Sequence, residues 1–362
     1  MNFTKLQSLG WSNFFLQQLD FEQLDNPDIQ VLRISAIHRD VIKALGESDD
    51  ADNVVEQTVL CPLEYRPVSQ FIAVGDWVVA QKTNEHYKIV NILESQNRIE
   101  RLSNQQRQLI CANLDYLFIV TSANDEFNQK RLQRYLALAY EFDITPVVIL
   151  SKIDESEDFY IYLDQIKKTN VDLVYAINSF DAETLKPLSD FLLPANSIAF
   201  VGSSGVGKST LVNQLFAETL FDGIMSDEFK PMKTADIRDD DKKGKHTTTH
   251  RELLINKSGV IFIDTPGMRE LQLLNAQQGI EFTFVDIVDF AQSCKFKNCS
   301  HQNEKGCAIL TALQSGELDV EHYNNYKKLL KEEAFNQRQE LGAYAENQYQ
   351  KELHMMYKQH KR

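Results

Sequence analysis

The spacing of apolar residues changes repeatedly along the chain, and each change marks a different kind of element. Over residues 1–27, Trp11, Phe14, Phe15, Leu16 and Leu19 are interrupted by polar residues, the pattern of an amphipathic helical extension. From Gln30 to Ser103 the runs are short: Val31–Ile37, Val54–Leu60, Trp77–Ala80 and His86–Ile92, separated by turn signals such as Gly75-Asp76. Several short strands in so small a span predict a barrel, either of the oligonucleotide-binding type or serving only as a docking surface. Further on, Leu114–Thr121 reads as a buried strand, Gln129–Phe142 as a helix and Pro146–Leu150 as a second buried strand. Val171–Ile177, Ile198–Val201, Leu253–Ile255 and Gly259–Asp264 add strands, and Leu211, Leu215 and Phe216 have helical spacing. Strands alternating with helices predict a parallel α/β sheet. After Leu318 the pattern is helical, with Tyr323, Tyr326, Leu329 and Leu330 on one face.

The 362 residues suffice for two or three domains with cores, and 43% hydrophobic with 25% charged residues describes a soluble globular protein. A net charge of -14 argues against a surface coated in positive potential, so any nucleic-acid contact must use local basic patches. The N-terminus lacks the continuous apolar core of a signal peptide, and no later run is long enough to span a bilayer. These features lead us to expect a cytoplasmic protein without membrane contact, whose five cysteines stay reduced unless a metal holds them.

The sharpest chemical signal follows the strand at Ile198. Gly202-Ser203-Ser204-Gly205-Val206-Gly207-Lys208-Ser209-Thr210 fills the phosphate-loop pattern between a strand and a helix. Its glycines let successive N–H groups turn inward on a phosphate, at the positive end of the helix dipole. Lys208 is expected on the β- and γ-phosphates and the Ser209 hydroxyl on Mg²⁺. Ser151-Lys152-Ile153-Asp154 ends an earlier strand, where ligands of open α/β sheets bind. An Asp at position 154 can accept both N1–H and the exocyclic amine of guanine, and the Lys152 stem can lie along the base. Asn178-Ser179 either brings N–H groups to the base oxygen or forms an ordinary turn.

A polar stretch from Phe221 to Lys245 leads into His246-Thr247-Thr248-Thr249-His250. Such a segment is expected to be mobile without a ligand, and Thr248 is the favoured switch residue for Mg²⁺ and the γ-phosphate, against a solvated Thr-rich loop. Asp264-Thr265-Pro266-Gly267 closes another apolar strand; Asp264 can hold Mg²⁺ through a water and the Gly267 N–H can bond the γ-phosphate. Met268 follows, and it cannot orient a water by hydrogen bonding. His246 either takes that role or contacts a partner.

Cys294, Cys299, His301 and Cys307 lie within fourteen residues, a donor set suited to one closed tetrahedral Zn²⁺ site. Lys295, Lys297 and Lys305 around it could meet phosphates or simply be solvated, as could the basic tail ending in Lys361-Arg362. Cys61 and Cys111 read as core residues.

In ordinary small GTPases the phosphate loop comes first and the base-reading motif last; here Ser151–Asp154 precedes Gly202, the order of a circular permutation. With Ala73-Val-Gly-Asp-Trp-Val78, Ala112-Asn-Leu-Asp115, Gly244-Lys-His-Thr-Thr248, Asp264–Gly267 and the Cys-Cys-His-Cys knuckle, the chain resembles the ribosome small-subunit-dependent GTPase A family. Ser151 departs from the family's usual Asn, Lys245 stands where Arg is frequent, and Gly205 stands where potassium-dependent GTPases carry Asn. Beyond the helical extension read from the apolar pattern (1–28), the resemblance implies a multi-domain α/β architecture: an OB-fold β-barrel (29–105), a circularly permuted P-loop GTPase domain with a mostly parallel sheet (106–278), and a small zinc-binding domain with C-terminal helices (279–362). It further implies use of GTP/GDP, Mg²⁺ and one Zn²⁺, and GTP hydrolysis stimulated by the small ribosomal subunit during late assembly, with the barrel and zinc domains contacting its rRNA; the protein is expected to be a monomer. Two rivals remain from the residues themselves: an RNA-binding scaffold whose nucleotide site barely turns over, consistent with Met268, and a P-loop kinase or ATPase, disfavoured by Asp154.

Overall fold

The computed structural model describes residues 3–38, 41–47, 54–83, 86–103, 106–216, 251–264, 273 and 275–359. His246, Thr248, Gly267 and Met268, with Lys245 and the basic tail beyond 359, lie outside the described residues.

The N-terminal run folds as three short helices, α1 (Phe3–Gln7), α2 (Asn13–Leu16) and α3 (Phe21–Asp25). Gly10, at φ +84°, interrupts any longer helix, and a Cβ there would lie 2.8 Å from the Arg33 guanidinium. Five strands follow in the barrel: β1 (Ile29–His38), β2 (Val41–Glu47), β3 (Val54–Leu60), β4 (Trp77–Lys82) and β5 (Tyr87–Ile92). Their circuit β1-β2-β3-β5-β4 closes through β1–β4 pairing, the five-stranded barrel that the family resemblance implied. The period of two explains how β1 and β4 bury both faces. Leu32, Ile34, Val78 and Ala80 fill the barrel, whereas Val31, Trp77 and Val79 pack outward on Leu6, Leu9, Trp11 and Phe15. The extension therefore covers the barrel's outer wall.

The hairpin of β6 (Arg98–Ser103) and β7 (Gln106–Ala112) straddles the division between barrel and nucleotide domain drawn from sequence. Next come β8 (Tyr116–Ser122), α4 (Gln129–Glu141), β9 (Thr145–Ser151), α5 (Phe159–Lys167), β10 (Val174–Ala176) and α6 (Ala182–Leu185). After these stand β11 (Ser197–Val201), α7 (Lys208–Phe216), β12 (Arg251–Ile255) and β13 (Ile261–Asp264). The order in space is β10-β9-β8-β11-β13-β12, parallel throughout except for β12. Its outer strand β12 pairs with β1 at Ala36↔Glu252 and Ile37↔Arg251, so barrel and nucleotide strands form one sheet of eleven.

One face of the nucleotide sheet packs on α7 through Leu211, Val212 and Leu215. The other face carries α4, and onto it dock α8 (Gln277–Thr283), α9 (Val285–Gln292), α10 (Ala308–Ser315) and α11 (Val320–Gln359). Phe284, Ile287, Ile309 and Leu329 join the same apolar cluster as Leu132 and Leu136 of α4. Gly279 permits this docking, because a Cβ there would stand 1.9 Å from the Ala137 carbonyl oxygen. No described helix is long and apolar enough to cross a membrane.

A buried arginine joins the parts. Arg33, 1% exposed, donates from Nε to the Gly75 carbonyl (3.2 Å), from Nη1 to Leu9 (2.5 Å), and from Nη2 to the Asn113 carbonyl (3.1 Å) and Ser197 Oγ (3.0 Å). Burial lowers its pKa to about 10, against the pull of Asp115 and Asp76, so it remains a cation at neutral pH.

Candidate functional site

The phosphate loop is built by steric necessity. Gly202 leaves β11 at φ +149°, where a Cβ would meet the Val120 carbonyl oxygen of β8 at 2.2 Å, so only glycine lets the loop cross that strand. Gly205 and Gly207 follow at φ +82° and +91°, conformations that turn the backbone N–H groups into a concave nest at the start of α7. Lys208 opens that helix, and its ammonium donates to the carbonyls of Gly202 (2.8 Å) and Ser203. Ser209 and Thr210 follow half-buried in the first turn.

Parallel register sets the second motif beside this loop. Val201 of β11 pairs with Ile119 of β8, and Ser122 of β8 with Ser151 of β9, so β11 and β9 flank β8 about 10 Å apart with their carboxyl ends on one side. Lys152 adopts the left-handed conformation at φ +59° and starts the 3-10 turn Ile153–Glu155. Its ammonium lies 3.1 Å from Glu155, and Asp154 is exposed on the same turn.

Ser151 has a different part from the base contact expected of its motif position. It is fully buried, and its hydroxyl lies 2.6 Å from the Val206 carbonyl of the phosphate loop and 3.0 Å from the Thr121 carbonyl of β8. A hydroxyl so enclosed by backbone acceptors ties β9 to the loop and has no surface left for a base.

Two further side chains were not singled out from sequence. Arg131, in the first turn of α4, donates to Ser203 Oγ in the phosphate loop, and Asn128 caps the same turn by accepting the Arg131 N–H at 2.9 Å. A cation in a helix's first turn opposes the dipole, and Lys130-Arg131 at the start of a helix was the available signal. His322 of α11 is the other, with Nδ1 2.9 Å from Gln133 Nε2 of α4 and Nε2 3.2 Å from Asp286 Oδ1 of α9. It locks the C-terminal helices to the nucleotide sheet.

Asp264 ends β13, whose parallel pairing Ala199↔Ile263 places it level with the last residues of β11, beside the strand that delivers the phosphate loop. The roles expected of His246, Thr248 and Gly267 concern residues outside those described.

The knuckle meets the geometric requirements of a tetrahedral ion. The ligand atoms of Cys294, Cys299, His301 and Cys307 all lie within 4.8 Å of one another. Bond lengths of about 2.3 Å for sulfur and 2.05 Å for nitrogen imply edges of roughly 3.8 Å for S···S and 3.6 Å for S···N. Cys294 and Cys307 sulfurs are 3.9 Å apart, and His301 Nδ1 stands 3.6 and 3.4 Å from them. The N–H groups of Ala308 and Leu310, at the start of α10, point at the Cys294 and Cys307 sulfurs at 3.3 and 3.5 Å. Burial pushes the Cys294 thiol up, but the backbone and thiol hydrogen bonds outweigh it and leave its pKa lowered. Burial and the neighbouring thiols push Cys299 up to about 11. The donor set thus fits Zn²⁺, which His301 would meet through Nδ1, the ring nitrogen nearest the two sulfurs. Glu304 braces the loop by accepting from the N–H groups of Ser300, Gln302 and Asn303, and bonds to Ser300 hold its carboxyl down at about 2.

Comparison with known proteins adds the following. A family model described as RsgA GTPase matches residues 92–274. The small ribosomal subunit biogenesis GTPase RsgA 2 of Vibrio parahaemolyticus is 39% identical over 332 residues, covering 91% of this chain and 86% of that protein. The protein of that name, RsgA, from Methanosarcina acetivorans is 41% identical over 276 residues, covering 74% of this chain and 72% of its own. Among solved structures, YjeQ from Thermotoga maritima aligns with a TM-score of 0.59 at 20% identity, covering 84% of this chain and 98% of that one. YloQ, described as a circularly permuted GTPase, aligns with a TM-score of 0.59 at 24% identity, covering 86% and 98%. At these identities the structural likeness is one of fold.

Proposed function

The chain belongs to the RsgA GTPase family, and from that premise we propose that it hydrolyses GTP to GDP on the small ribosomal subunit, as a late assembly and maturation factor. The observation that carries the reading is the 2.6 Å contact from Ser151 to Val206, which supports a single site with a base at one end and phosphates at the other. In this reading the N–H groups of the Gly202–Thr210 loop wrap the phosphates, and the Lys208 ammonium exchanges its loop carbonyls for β- and γ-phosphate oxygens. Asp154 accepts the two guanine N–H groups, and the Lys152 stem lies along the base. Ser209, Thr248 and Asp264 would hold Mg²⁺, whose contribution when bound is positive charge beside the phosphate oxygens. The Gly267 N–H bonds the γ-phosphate, and His246 orients the attacking water that Met268 cannot.

Zn²⁺ at Cys294, Cys299, His301 and Cys307 would act as a structural staple. Lys295, Lys297 and Lys305 around it, together with the barrel, offer surfaces to rRNA, and the protein works as a cytoplasmic monomer. The test is turnover measured with and without small subunits, with ATP as competitor. Strong stimulation and no ATP competition are expected. Turnover unchanged by subunits points to the RNA-binding scaffold, and equal use of ATP removes the guanine assignment. Asp154→Asn should move preference from guanine toward xanthine nucleotides.

A further inference from the structure

The turn after β10 is tied more firmly than its length demands. Asn178 Oδ1 accepts the Phe180 N–H at 3.0 Å, and the Asn178 N–H donates to the Thr184 hydroxyl at 3.0 Å. That hydroxyl stands 2.9 Å from the Asn178 carbonyl, which also accepts the Asp181 N–H at 3.0 Å. Asp181 in turn caps α6 by accepting the Glu183 N–H at 3.0 Å. On this clamped turn stands Phe180, 77% exposed, whereas its neighbour Ser179 is buried.

A lone exposed aromatic residue needs no explanation, but the place of this one does. β9 and β10 run parallel with Ala176 opposite Leu150. The Ile177 N–H donates to the Leu150 carbonyl at 2.8 Å, and the Ile153 N–H faces the Ile177 carbonyl at 3.4 Å. The turn that carries Phe180 is thereby the direct neighbour of the turn that carries Lys152 and Asp154. Asp154 can meet only the edge of a base. The Lys152 stem, restrained through Glu155, can cover only one face. A base held in this way leaves its second face to whatever stands on the adjoining turn.

We propose that Phe180 is a base-contacting residue that sets nucleotide affinity, its ring packing on the purine held by Lys152 and Asp154. The proposal rests on the guanine reading above and adds to it a division of labour. Every purine presents a π-face, so the ring strengthens binding without choosing the base, and the choice is left to Asp154.

The experiment measures GTP, GDP and inorganic tripolyphosphate binding by calorimetry to the full chain and to its Phe180→Ala, Phe180→Trp and Asp154→Asn variants. Phe180→Ala should weaken GTP and GDP alike by about tenfold, the scale of one base–aromatic contact, and leave tripolyphosphate unchanged. Phe180→Trp should retain affinity and change its fluorescence when GDP binds. Unaltered GTP affinity in Phe180→Ala, or equal weakening of tripolyphosphate, overturns the proposal. Asp154→Asn separates the two readings. A shift toward xanthine nucleotides with Phe180→Ala silent leaves the guanine reading standing and removes Phe180. No shift with Phe180→Ala selectively weakened removes Asp154 as the reader and keeps the ring contact.

Discussion

The phosphate loop and the cysteine knuckle both gather backbone N–H groups at the start of a helix to face charge, yet they are specified in opposite ways. The knuckle is local. Its four donors lie within fourteen residues, and its brace, Glu304, stands among them. The phosphate loop is held from far along the chain, by Ser151, 55 positions from Val206, and by Arg131, 72 positions from Ser203. The difference teaches where each is vulnerable. A change in the knuckle acts on its own four donors, whereas a change in β9 or α4 reaches the phosphate loop through the side chains of Ser151 and Arg131.

The contrast can be broken most forcefully at Lys208. Lys208→Ala should lower GTP turnover by about 10²–10³-fold, the scale of removing one transition-state donor, with zinc content unchanged; phosphate release and metal analysis read both. Next in size is Cys307→Ser. One of four ligands accounts for roughly a quarter of the 10–16 kcal/mol typical of such sites, so zinc affinity should fall about 10²–10³-fold in a chelator competition, with GTP affinity preserved. Ser151→Ala should be milder, removing one hydrogen bond of about 1 kcal/mol and weakening GTP binding about fivefold by calorimetry. The smallest effect is expected from Arg131→Ala, about twofold in the KM for GTP, because the side chain is exposed to solvent. Were Cys307→Ser to cripple GTP binding as Lys208→Ala cripples turnover, the two sites would not be independent.

The same contrast explains what was legible in the sequence. The knuckle's ligands, the strand before Gly202 and the helix after it could be read directly, because each depends on neighbours a few residues away. Ser151 reads in the sequence as a departure from the family's usual Asn within the base-reading motif, and its tie to the phosphate loop is not legible there, since its partner Val206 is adjacent only through the parallel register of β8, β9 and β11. Arg131 is illegible for the same reason, its partner Ser203 lying 72 positions away. β2 is not legible in the sequence because Lys43 and Gly46 interrupt its apolar run, although Ile42 and Ala44 are fully buried. The N-terminal run was read as one amphipathic extension, and the left-handed turn at Gly10 divides it.

One rung of the sheet has a mechanical outcome. Glu252 of β12 is paired on one side with Asp264, the acid at the end of β13, and on the other with Ala36 of the barrel strand β1. The distance from that acid to the barrel is thus two strand spacings, about 10 Å, bridged by hydrogen-bonded backbone with no flexible linker between. Asp264 and the barrel wall thus belong to one hydrogen-bonded frame, with a single rung of backbone between the acid and the barrel strand.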